Sequence, residues 1–409
     1  MRRGGVRDGT DDRHRRLHVE GRAPIAIHGE SEVTYRYPIL RPSLPAFDDV
    51  AEEFRVLFDS TALTTARHTE ALEREVGQVL GVRNVIALSS CTTGLVFAMK
   101  AMNLQGEVIV PSYTFNSSGL AVHWAGLTPV FCDCIEGTLN IDPDSAQAAL
   151  SDRTVAVMPV AVYGLAPDID AIERMAAARG LKVIYDSAMG LGSRYRGRYL
   201  GGFGDAEVFS LSTKKLVTGV EGGLVTTNDD QLAAVIRRMR DYGRSTDSPD
   251  FVDVGLSARF SELHAVIARH NLARLDSVTR DRRGVVARYR RALGAIPGVG
   301  FVEEPADCEA NGLMMVIRID AAQAGVTRDE LMAALAVRGI QASRYFYPPL
   351  HRQGVYQSIP HRCAPSLEVS ERVGGQVLAL PIYTGMRDEA IAEIAGAVRE
   401  VMAQAVISR

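Results

Sequence analysis

The sequence predicts an α/β protein: a large unit with a mainly parallel, doubly wound sheet, then a smaller α+β unit at the C-terminal end. Three observations carry this. From about residue 84, short β-rich runs alternate with helical ones. Several of those runs are apolar without alternation, as in strands covered on both faces. After about residue 290 the alternation gives way to another pattern. The length of 409 residues also exceeds a single small core.

The chain opens on a mixed-charge stretch, "RDGTDDRHRRLHVEGR", within residues 1–36, which reads as a disordered leader or an over-long start. The Arg2-Arg3 pair suggests an export signal, but no apolar core follows it. Residues 37–60 are expected to pack back on the small unit. The large unit spans 61–289, with strand runs "NVIALSS" (84–90), "EVIVPS" (107–112), "PVFCD" (129–133), "VAVMPVAVYG" (155–164), "KVIYDSA" (182–188), "AEVFSLS" (206–212) and "GLVTTN" (223–228). The helices between them carry end signals. Asp142-Pro143 supplies an N-cap and a first-turn proline, and "DIDAIERMAAARG" ends on Gly180, where a left-handed cap belongs. In the small unit, 290–409, "GLMMVIRID" (312–320) is a strand. "TRDELMAALAVRG" (327–339) opens with a Thr327/Glu330 capping box, and a helix runs from Asp388 to about Ala405.

Composition excludes several classes. A 46% apolar and 23% charged chain of net charge −3 is that of a soluble globular protein, with no general reason to bind nucleic acid. No run approaches the ~18 apolar residues of a membrane span. The cysteines at 91, 132, 134, 308 and 363 are odd in number and scattered, so they form no disulfide framework and suit a reducing cytoplasm. Cys132 and Cys134 lack a second ligand pair, which favours a buried strand over a metal site.

In such a sheet, ligands bind beyond the carboxyl ends of the strands. "ALSSCTTGL" follows the first strand and can present backbone N–H groups, around Cys91 and Thr92, to an anion at the next helix's positive end. "PSYTFNSS" puts the aromatic Phe115 on the second loop, "IYDSAMG" ends its strand in Asp186, and "VFSLSTKK" ends with Ser210, Ser212, Lys214 and Lys215. Singly these read as a turn, a core aromatic, a helix cap and a solvated charge pair. Together, an anion seat, a flat ring, a carboxylate and a lysine at one edge fit pyridoxal phosphate.

Here the chain resembles the pyridoxal-phosphate sugar aminotransferases of the DegT/StrS group, which share the fold-type-I architecture of aspartate aminotransferase. The likeness runs from about residue 60 to 385. It is carried by Ser90-Cys91-Thr92-Thr93-Gly94-Leu95 as the phosphate turn, "EVIVPSYTFNSSGLAVHWAGLTPVFCD", Asp186-Ser187-Ala188, and "YRGRYLGGFGDAEVFSLSTKK". The blocks "GLSARFSELHAVIA", "RYFYPPLH" and "LALPIY" follow in order. The group's pattern spaces its Schiff-base lysine five positions after the serine of Phe-Ser, with five residues before Glu-Gly-Gly. Counting from Ser210 or back from Glu221 selects Lys215 over Lys214.

The resemblance implies that Asp186 meets the pyridine nitrogen and Phe115 stacks on the ring. Cys91, Thr92 and Ser210 would hold the phosphate, and Lys215 would carry the aldehyde and shuttle protons. Ser257, from the partner subunit of a homodimer, would take the place of an asparagine that reaches the phosphate. Two departures stand out: Met189 replaces a hydrogen-bonding glutamine or histidine, and Ser257 is shorter than asparagine. The implied reaction moves an amino group, by family habit from L-glutamate, to a keto-deoxysugar linked to a nucleotide, in amino-sugar biosynthesis for an antibiotic or a surface glycan. A cyclitol or other ketone, and another pyridoxal reaction on this scaffold, are the alternatives. A non-catalytic regulatory relative is disfavoured by the retained Asp186 and Lys215, and the lysine also disfavours the sugar dehydratases, which have histidine there.

Overall fold

Valine- and isoleucine-rich runs become the core strands of one eight-stranded sheet in the computed structural model, which describes residues 35–407. The expected leader, with the Arg2-Arg3 pair, lies outside the described residues up to Thr34; Arg36, its last residue, is ion-paired with Glu393 at 2.9 Å. The strands are β1 (Asn84–Leu88), β2 (Glu107–Pro111), β3 (Thr128–Cys132), β4 (Thr154–Val157), β5 (Lys182–Asp186), Ala206–Ser210, Gly223–Thr227 and Arg362–Cys363. Their spatial order is β1, Gly223–Thr227, Ala206–Ser210, β5, β4, β2, β3, Arg362–Cys363. From Ala206–Ser210 outward to Arg362–Cys363 every pairing is parallel, while Gly223–Thr227 is antiparallel to both neighbours. Two antiparallel steps restore direction, so β1, β2, β5 and Ala206–Ser210 all end at the same edge.

The run "VAVMPVAVYG" is not one strand. β4 stops at Val157, Val160 makes only an isolated bridge to Asp186, and residues 162–164 form a 3-10 turn with Tyr163 at φ 57°. Pro159 has no N–H to donate to a ladder, which ends regular pairing there.

Helices α1 (Phe47–Asp59), α2 (Arg67–Leu80), α3 (Cys91–Ala101) and α4 (Asn116–Trp124) include the two that open at the site. α3 lies close on the sheet because residue 94 is glycine: a Cβ there would meet Val208 Cγ1 at 2.8 Å and Val225 Cγ2 at 3.0 Å. α1 packs Val50 and Leu57 on Val266 of the helix Glu262–Leu272.

In the C-terminal third a three-stranded antiparallel sheet, Val299–Phe301, Met315–Ile319 and Val377–Leu380, packs with the helices Leu275–Leu293, Arg328–Val337 and Asp388–Ile407. They enclose a second apolar cluster that includes Val285, Tyr289, Ile317, Leu331, Leu378 and Ile394. The Thr327/Glu330 capping box is formed. Among the described residues no helix is long and apolar enough to cross a membrane, and no His/Cys/Asp/Glu group could hold a metal ion. Cys132 and Cys134 are buried, and burial pushes the Cys134 thiol up to about 12.

Candidate active site

The phosphate-turn sequence forms a helix start with its cap in place. Ser90 is the N-cap of α3, and its Oγ accepts from Thr93 N at 3.1 Å and pairs with Thr93 Oγ1 at 2.8 Å. The first N–H groups of a helix, here those of Cys91 and Thr92, have no acceptor within the helix and face outward at its positive end. Beneath them runs Gly223, where a Cβ would lie 2.4 Å from Cys91 N. This accounts for one glycine of Glu221-Gly222-Gly223. Gly222 is needed for another reason: its φ is +144°, and a Cβ would meet the Phe260 ring at 2.3 Å.

Asp186 ends β5 and is buried. Its Oδ2 accepts from Ser118 Oγ at 2.7 Å, and its Oδ1 accepts from the Ala188 backbone N–H at 3.1 Å. Burial raises its pKa, against the opposing pull of those two bonds and of Lys215. Lys215, by contrast, is lowered by burial first, with Lys214 adding to the effect; Cys91 and Asp186 oppose it. Burial also keeps the Cys91 thiol protonated.

Phe115 is the N-cap of α4 and is 58% exposed, its ring 6.2 Å from that of Phe346. A large aromatic face left open beside a carboxylate is a platform for a flat ring. Phe346 belongs to an aromatic group absent from the sequence argument. It stacks on Tyr163 at 5.9 Å, and Tyr113 Oη lies 2.6 Å from Tyr163 Oη and donates to the Tyr345 carbonyl.

Cys91, Thr92, Phe115, Asp186, Ser210 and Lys215 line one cavity of about 380 Å³. Ser257 does not line it. Ser257 is exposed and bridges to Asp241, beside the exposed Val254 and Leu256. Lys214 also lines the cavity, and its Nζ donates to Tyr345 Oη at 3.3 Å. Met189 lines the same wall and offers only a thioether there. Ser118 is the residue the sequence reading missed, although it lies in the quoted "NSS" after Phe115; a hydroxyl in the first turn of a helix gives no sign of its distant acceptor.

The residues fit pyridoxal phosphate. A buried carboxylate raised by desolvation, with lone pairs to spare, is stabilised by a cationic N–H such as a protonated pyridine. The capped start of α3 suits a phosphate, and Phe115 suits the ring.

The sequence matches the DegT/DnrJ/EryC1/StrS aminotransferase family over residues 47–399. The chain belongs to this family. It is 32% identical over 387 residues to the spore coat polysaccharide biosynthesis protein SpsC of Bacillus subtilis (strain 168), covering 90% of this chain and 99% of that protein. Among solved structures, DesI in the presence of its TDP-sugar product is 33% identical with TM-score 0.85, covering 92% of this chain and 96% of that one. DesV of S. venezuelae, in complex with a ketimine intermediate, is 30% identical with TM-score 0.83, over 90% of this chain and 99% of that one. DegT-family aminotransferases are fold-type-I enzymes that use pyridoxal phosphate, and this chain is a pyridoxal-phosphate aminotransferase.

Proposed function

We propose that the protein transfers an amino group from L-glutamate to a keto-deoxysugar linked to a nucleoside diphosphate. The observation that carries this reading is the likeness to DesI, whose structure contains a TDP-sugar product, along nearly the whole of both chains. When bound, pyridoxal phosphate supplies an electrophilic aldehyde and a ring that accepts electrons. The chain supplies the rest. Asp186, held by Ser118, would keep the ring nitrogen protonated. The N–H groups at Cys91 and Thr92, with Ser210, would hold the phosphate, and Phe115 would stack on the ring. Lys215 Nζ would hold the cofactor through its aldehyde. Its burial-lowered pKa favours the neutral amine needed to take a proton from the donor's amino-bearing carbon and return one to the acceptor carbon.

The reading includes a homodimer in which Ser257 of one chain serves the phosphate seat of the other. The exposed Trp124, Val254 and Leu256 support it, since these large apolar side chains line one groove together with Thr92 and Thr93 at the start of α3. Met189 favours a second reading, a cyclitol or another ketone as acceptor, because the wall that holds a polar side chain in the group is apolar here.

The test is the visible absorption of the purified, cofactor-loaded protein before and after L-glutamate. Loss of the band of the lysine-bound cofactor, followed by its return on adding a nucleotide keto-sugar, is the expected outcome. A band indifferent to glutamate defeats the donor assignment, and return only with a cyclitol ketone defeats the acceptor assignment.

A further inference from the structure

Acidic residues slightly outnumber basic ones, 49 to 46, and most exposed arginines near carboxylates are paired, such as Arg36, Arg196 and Arg352. Lys214 and Arg41 are two of the cations outside these pairs. Both are exposed, and neither has a carboxylate partner among the described residues. Lys214 Nζ reaches only Tyr345, 3.3 Å from its hydroxyl and 5.9 Å from its ring centre. The Arg41 guanidinium lies 4.6 Å over the Tyr383 ring, which leaves its N–H edge free.

The two cations share one recess. Arg41, Ser43, Lys214, Lys215 and Thr384 line it, and Leu40, Thr213, Lys214 and Lys215 line both this recess and the active-site cavity. Behind it the buried Arg282 donates to the carbonyls of Gly312, Ile382 and Leu313 at 3.2, 2.8 and 2.6 Å. Arg282 thus adds positive potential without a spare contact. A concave wall carrying unpaired cations concentrates potential on an incoming anion. The cofactor's phosphate seat is elsewhere, since Ser90, Cys91, Thr92 and Ser210 do not line the recess.

We infer that Lys214 and Arg41 form an anion-recognition pair at the rim of the active site, taking a phosphate or carboxylate group of the substrate. This rests on the cavity's serving as the substrate site of an aminotransferase. The donor's side-chain carboxylate and the acceptor's diphosphate offer the same chemistry, and Lys214 with Arg41 sets which anionic substrate is held.

The experiment is calorimetric titration of the cofactor-loaded full chain with two probes, glutarate and inorganic pyrophosphate. Wild type, Lys214→Gln, Lys214→Arg and Arg41→Gln are compared, with melting temperature and cofactor absorption as folding controls. The expected result is that at least one probe binds wild type, weakens about tenfold in Lys214→Gln and Arg41→Gln, equivalent to ~1.4 kcal/mol, and recovers in Lys214→Arg. The probe that weakens identifies the source: glutarate the donor, pyrophosphate the acceptor. Equal affinity of Lys214→Gln and wild type for both probes overturns the inference, as does a wild type that binds neither. A fall in cofactor affinity in Lys214→Gln with no change in probe binding also overturns it, by returning Lys214 to the phosphate seat. Glutamate-dependent bleaching of wild type is read separately. Its absence beside Lys214-dependent probe binding defeats the donor assignment and leaves the anion pair standing.

Discussion

Ser118 Oγ donates to Asp186 Oδ2 at 2.7 Å, tying the first turn of α4 to the end of β5. One loop after β2 therefore supplies both Phe115, which would face the cofactor's ring, and the hydroxyl that orients the carboxylate. Ser118→Ala leaves Asp186 with the Ala188 N–H as its remaining direct donor. A hydrogen bond to a charged group contributes roughly 1.5–3 kcal/mol, so cofactor affinity is expected to fall about 10- to 100-fold with the fold intact. Titration of the apoprotein with pyridoxal phosphate, followed by absorption, measures it; unchanged affinity would mean that Ala188 N–H and Lys215 suffice to set Asp186.

The lysine pair gives a sharper comparison. Lys215→Ala is expected to abolish turnover, because it removes the amine that would hold the aldehyde and move the proton. Lys214→Ala is expected to keep the chemical step and raise KM, in line with a rim position. Both lysines line the cavity, so proximity does not separate them. Equal losses in kcat from the two substitutions would undo the count from Ser210 and Glu221.

Gly223 tests the seat of the phosphate. A Cβ would lie 2.4 Å from Cys91 N, a backbone atom that cannot rotate away. Gly223→Ala is expected to cost about 1–3 kcal/mol by overpacking and to reduce cofactor affinity further by shifting the start of α3. Gly375, exposed in the helix Glu368–Gln376, meets nothing within 4 Å, and Gly375→Ala is expected to stabilise by about 0.5–1 kcal/mol. Thermal melts of the two variants should move in opposite directions.

Glu207 predicts a pH dependence. It is buried, accepts from Ser187 Oγ at 2.6 Å and from the backbone of Gly201 and Phe203, and burial pushes its pKa up to about 7. Between its ordinary value near 4.5 and about 7 the folded state holds the proton that the unfolded chain has lost. The stability from this group is therefore full below about 4.5 and is lost as pH rises through 7, up to ~3 kcal/mol in all. Glu207→Gln keeps a carbonyl oxygen that can accept from Ser187 Oγ and removes the titration. Melting curves from pH 5 to 8 should slope downward for wild type and lie flatter for the variant.

How much of this was legible depends on sequence distance. The strands and the polar residues at their ends could be read because each run and its following turn are contiguous, so Asp186 and Ser210 fall at one edge once the strands are parallel. The antiparallel Gly223–Thr227 strand was not, since an apolar run carries no direction. Nor was the break in "VAVMPVAVYG", where Pro159 outweighs the β-branched residues on either side. Tyr163, Tyr345 and Phe346 meet only through the return of the chain from the C-terminal sheet. Ser118 was hidden for the same reason, its acceptor being 68 positions away.

The exposed face around Ser257 gives the last prediction. Val254 is 86% and Trp124 71% exposed, and Thr92, Thr93 and Lys100 of α3 share a groove with Trp124, Val254 and Leu256. A second chain seated there would cover apolar surface and bring its own 251–257 segment toward the start of α3. Placing a carboxylate in that contact, as in Val254→Asp or Leu256→Asp, would bury an unpaired charge on association, which is strongly unfavourable. Each variant is expected to run as a monomer in light scattering and to lose most of its activity and some cofactor affinity, since the phosphate seat would lack its contribution from the partner. Both side chains are exposed in the single chain, so melting of the monomer should not suffer directly from their replacement. A monomeric variant with full activity would refute the shared site, and an unaltered dimer would move the interface to another face.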